Sequence, residues 1–194
     1  MIRMCPLAVL LAVLLATGAH AQTPAPAATP VASPVASPVA SPAPSAAANP
    51  LDTIPDAMPF NTPYGAPIGL DRAQAVVAAA VAETKKRGWA MNVTVVDSGG
   101  NLVAFARMDG AQIASIAISE HKARAANAFR RETKVYESAM QLGLVYTLSL
   151  DGIIGSRGGI PLVQDGKIVG AIGVSGGNGS QDEVAARAGV AALQ

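Results

Sequence analysis

The chain has 194 residues with 14 Lys and Arg against 13 Asp and Glu, and this near-neutral balance gives no electrostatic footprint for nucleic acid or an anionic membrane. Aromatic residues are 4% of the chain, so few stacking platforms for bases exist and the core must close-pack small aliphatic side chains. The single cysteine, Cys5, falls in a segment expected to be removed, which leaves the mature chain without disulfides, thiolate nucleophiles or Cys-based metal sites.

Taken in chain order, Met1-Ile2-Arg3-Met4, the apolar run Leu7 to Ala16 and Gly18-Ala19-His20-Ala21 read as the three regions of a secretory signal peptide over 1–21. The mature chain is then expected to begin near Gln22, to be periplasmic or secreted, and to have zero formal charge once Arg3 is gone. The apolar run is shorter than the roughly 20 residues a membrane span needs. Residues 22–50 are almost entirely Ala, Pro, Ser, Thr and Val, with Val-Ala-Ser-Pro at 31–34, 35–38 and 39–42. Proline at every fourth position forbids a helix, so an extended disordered tether is predicted. Residues 51–69 form a Pro-rich arm (Pro55, Pro59, Pro63, Pro67) that carries Ile54, Met58, Phe60, Tyr64 and Ile68, and these apolar groups predict that it lies against a folded surface.

A compact domain is expected over 70–194. Asp71 is the predicted N-cap of a first helix, with Gln74 at the capping-box position and Gly88 at its end. Asn92–Asp97 and Leu102–Met108 read as strands around the turn Ser98-Gly99-Gly100-Asn101. Ile113–Phe129 has the helical period, a shorter helix follows over Thr133–Leu142, and Gly143 stops it. Val145–Leu150 is a short strand candidate, and Gly159–Gln164 and Lys167–Val174 form a hairpin around Asp165-Gly166, a type I′ pair. Ser180 with Glu183 is the predicted capping box of a last helix. The order α-β-β-α-α-β-β-α, with tight hairpins that cannot be parallel, predicts an α/β (α+β) sandwich with an antiparallel sheet of about five strands flanked by helices.

The blocks Val95-Val96-Asp97-Ser98-Gly99-Gly100-Asn101-Leu102, Arg107-Met108-Asp109-Gly110-Ala111, Lys122-Ala123-Arg124-Ala125-Ala126, Gly158-Gly159-Ile160-Pro161-Leu162 and Gly170 to Gly176, in this order, resemble the GlcG/HbpS family from about Leu70 onward. The resemblance implies a profilin- or PAS-like sandwich, homo-oligomers and, for some members, haem binding or haem turnover. Ala125 stands where the pattern has threonine, so a threonine-based ligand does not carry over.

His121 is the only histidine of the expected mature chain, and its imidazole is the candidate metal ligand to haem iron, with Arg124 and Arg130 against the porphyrin. Arg157, in the loop Gly155-Ser156-Arg157-Gly158-Gly159, and Arg107 are candidates to hold carboxylates of haem or of a small hydroxy acid. Met108, Met140, Tyr136 and Tyr146 could in principle be second ligands, but core packing explains each of them better. Gly173-Val174-Ser175-Gly176-Gly177 matches the G-x-S-x-G elbow of hydrolases, but no histidine follows Ser175 to serve it. Three readings stand: an exported homo-oligomeric haem-binding protein, an enzyme or binder for a small hydroxy acid, and an oligomeric scaffold.

Overall fold

The computed structural model describes residues 56–193. The segments expected to be a signal peptide and a tether, and the first part of the arm, lie outside the described residues. The elements are α1 (Leu70–Lys86), β1 (Asn92–Asp97), β2 (Leu102–Arg107), α2 (Ala114–Ala128), α3 (Lys134–Gln141), a 3-10 turn (Val145–Ser149), β3 (Gly159–Gln164), β4 (Lys167–Ser175) and α4 (Gly179–Ala191).

Both hairpins form. Asp165 and Gly166 take φ of 51° and 70°, the left-handed pair that a type I′ turn demands. The sheet is antiparallel throughout, in the order β2-β1-β4-β3, so the two hairpins meet along β1 and β4. Alternation along β1 separates the layers. Val93 and Val95 join Val76, Ala80, Ile172, Val174 and Ala185 in the main core under α1 and α4, while Val96 packs with Ala123, Ala126 and Ala171 under α2. The result is a sandwich of two helices, a sheet and one helix.

Helix α2 comes unusually close to the sheet. A β-carbon on Gly173 would collide with the Ser119 carbonyl and the Ala123 backbone, so glycine is required there by packing. Small residues along β4 thus position α2.

Four strands form where about five were expected, because Val145–Ser149 winds into a 3-10 turn with Thr147 Oγ1 donating to the Leu144 carbonyl at 2.9 Å. The edge it would have joined is closed. Thr133 exchanges two hydrogen bonds with the backbone of Gly159, at 3.0 Å each, and Pro161 has no N–H to offer. The caps also differ. α1 starts from Gly69 with Asp71 inside the first turn, and α4 is capped by Asn178 with Gln181 completing the box. Glu183 cannot reach back to Ser180 because it already binds Arg187 at 2.6 Å and Lys134 at 3.2 Å.

The arm runs along its own domain. β4 extends beyond β1, and there Ile168 donates to the Pro63 carbonyl while Gly65 and Ile68 donate to Ile168 and Val169, each at 2.8 Å. The Tyr64 hydroxyl donates to the Asn127 carbonyl at 2.8 Å, at the end of α2.

Candidate functional site

Helix α2 turns Ser115, Ser119, Lys122 and Ala126 toward the sheet and His121, Arg124 and Ala128 toward solvent. Lys122 is fully buried, its ammonium donating to Asp182 at 2.7 Å and to the Val174 carbonyl at 3.1 Å. Asp182 also accepts from the Gly177 amide at 3.0 Å, so the pair ties the exit of β4 to α2 and α4. Burial pushes the Lys122 ammonium down and the Asp182 carboxyl up in pKa, each opposed by the partner's charge. Sequence reasoning passed over this pair. Its signal was a lysine at the seventh step of a stripe of small residues, the side of α2 that must face the sheet.

Beside it lies a hydroxyl cluster: Thr94 bonds Ser119 at 2.8 Å, and Ser175 donates to Ser115 at 3.1 Å. Ser175 is therefore a buried packing residue rather than an exposed nucleophile.

The expected site residues fall in separate places. His121 is exposed, with Nε2 at 3.1 Å from the Gly152 carbonyl. Arg124 pairs with Glu120 at 3.2 Å on the same face. Arg130, two residues past the end of α2 with φ 54°, turns the other way and sits over the Tyr64 ring at 5.8 Å. Arg157 is engaged inside the protein: its guanidinium meets Glu137 at 2.7 Å and Glu183 at 3.4 Å, and its amide donates to Glu137 at 2.7 Å. Arg107 ends β2, the opposite edge of the sheet from β3. The pair of arginines expected to grip one acid is thus split, and one of the two is already neutralised.

Burial by itself would raise the Glu137 carboxyl, but hydrogen bonds from Arg157 outweigh it and hold it below the usual carboxylate range. Asp97 behaves alike: desolvation is overcome by hydrogen bonds from Asn101 and Gly99 in the first hairpin turn. That carboxylate serves the turn.

Between α3 and β3 lies a groove of about 760 Å³. Its walls are Val135, Leu142, Leu144, Ile160 and Val163; Phe60, Arg130, Arg131 and Lys134 also line it, as does Glu132, whose carboxylate is held by Arg187. α3 presents Val135, Ser138, Ala139 and Leu142 at helical spacing, and Tyr136 faces inward to pack edge-on against Phe129 at 5.5 Å. Lys134 pairs with Glu183, whereas Arg130 and Arg131 make no ion pair among the described residues and lie over the Tyr64 and Phe60 rings. An apolar trough with cations along it suits a flat ligand carrying carboxylates.

The sequence model of the family described as Haem degrading protein HbpS-like matches residues 68–191, the whole sandwich. The chain belongs to the HbpS-like family. Protein GlcG of Escherichia coli K12 is 41% identical over 103 residues, 53% of this chain and 77% of GlcG. A double-substitution variant of HbpS from Streptomyces reticuli superposes with a TM-score of 0.62 at 29% identity, covering 83% of this chain and 99% of the other. The haem complex of PduOC superposes at 0.60 with 26% identity, covering 66% and 96%.

Proposed function

We propose that this is an exported, homo-oligomeric haem-binding protein, and that the groove between α3 and β3 takes the tetrapyrrole. The observation that carries the reading is the apolar groove of about 760 Å³ with Arg130 and Arg131 both free of any carboxylate partner among the described residues, in a chain of the HbpS-like family. Val135, Leu142, Ile160 and Val163 would cover the macrocycle, and Arg130 would pair a propionate. Bound haem supplies the iron's redox chemistry; the part of this chain is to hold the ring and its carboxylates. Expected export rests on the N-terminal 21 residues, and homo-oligomerisation is supported by exposed Val145, Leu148 and Ile113.

A second reading has its own observation: the exposed His121 imidazole, one turn from Arg124, could ligate iron away from the groove. A haemin titration read at the Soret band separates them. Wild type and His121→Ala are expected to bind alike, and Arg130→Glu at least tenfold more weakly. Loss in His121→Ala alone would move the site to the outer face of α2, and a flat spectrum after gel filtration would sink haem binding.

A further inference from the structure

Phe60 is a non-glycine residue at φ 58°, a left-handed conformation that a β-carbon disfavours. Such strain persists only where the surroundings hold it, and it gathers at ligand clamps. Here it is held from two sides. The Arg131 guanidinium stacks on the Phe60 ring at 3.4 Å from its centre, and the following residues are pinned to β4 by the Pro63, Gly65 and Ile68 hydrogen bonds. Arg131 is itself fixed by donating from Nε to the Phe129 carbonyl at 3.0 Å and by lying 5.7 Å from the Tyr136 ring. Both Phe60 and Arg131 line the groove.

A stacked phenyl and guanidinium offer a flat π surface with a positive charge attached, which matches a planar aromatic anion far better than an aliphatic acid. The described residues lining the groove include no histidine, cysteine, methionine or tyrosine. What the walls can recognise is the ring plane, its apolar edge and its carboxylates. Building on the haem reading above, we infer that the groove recognises the macrocycle and not its metal, with Phe60 and Arg131 as a preset clamp against which the ring lies. The ligand class is then planar tetrapyrrole carboxylates, metal-free ones included.

The test titrates the mature protein with haemin, by absorbance, and with protoporphyrin IX, by its fluorescence. Wild type should bind the two within about threefold of each other. Phe60→Ala should weaken both by tenfold or more, and Phe60→Tyr should restore them, with unchanged circular dichroism and urea midpoint showing that the fold is intact. Haemin binding more than tenfold tighter than protoporphyrin would mean that the iron is read, which overturns the inference and leaves the haem reading standing. Unchanged binding of both in Phe60→Ala would overturn the clamp. Binding of neither ligand by wild type would remove the haem reading and this inference together.

Discussion

At the scale of single residues, the most consequential side chain is Lys122. Its side chain is 1% exposed and that of Asp182 3%, so removing one partner strands the other charge in a medium that cannot solvate it. Lys122→Met is expected to cost about 3–5 kcal/mol, and the double change Lys122→Met, Asp182→Leu to recover most of it. Urea midpoints of the three proteins check this; a double variant as unstable as the single would show that packing, not the stranded carboxylate, sets the cost. Glu137 gives a pH signature. Its folded pKa lies below the ordinary 4.5, so its contribution is fully present above that value and disappears as pH falls through the lower folded value. The midpoint gap between wild type and Glu137→Gln should accordingly be constant at neutral pH and close as pH falls below the ordinary carboxylate value and through the lower folded one. A gap that does not narrow on acidification would mean that the Arg157 contacts do not depend on the Glu137 charge.

Among the elements, α2 and β4 are fitted to each other through absent side chains. Gly173 lets the Ser119 and Ala123 backbone rest on the sheet, and this close approach brings Lys122 within reach of Val174 and Asp182. Gly173→Ala should therefore destabilise by about 1–3 kcal/mol, as overpacking does. Thermal unfolding measures it, and a neutral result would mean that α2 can shift outward freely. β3 shows the converse, an edge finished by chemistry: Thr133 and Pro161 leave it poor in free donors, and the apolar segment after α3 coils beside it instead of pairing.

For the whole molecule, apolar side chains remain on the surface from Leu142 to Leu150, with Leu142 78% and Leu148 71% exposed. An exposed run of this kind marks an interaction surface. In the proposed oligomer this is the contact region, so light scattering of the mature protein should give a multiple of the chain mass, and Leu148→Asp should lower it without changing the circular dichroism. A monomeric wild type would remove the oligomer from the proposal. Charge adds little here, because the formal net charge is only +1 over 194 residues and salt should leave the association nearly unchanged.

What the sequence determined by itself was whatever depends on neighbours along the chain. Asp165-Gly166 imposes its turn because both residues accept positive φ, Gly88 and Gly143 end α1 and α3 for the same reason, and the alternation around Val93 and Val95 separates two faces. The family blocks were legible because they sit on these turns and strands. Only the tertiary structure decided where distant groups meet. Asn178 displaced Ser180 as the cap because Lys134 and Arg187 claim Glu183; Val145–Leu150 lost its strand because Thr133 closes the edge; and Arg157 left the list of free cations because Glu137 comes to it from α3. The burial of Lys122 and the joining of Phe60 to Arg131 are of the same kind, since each depends on residues more than fifty positions apart and on energies that exist only when the layers are packed.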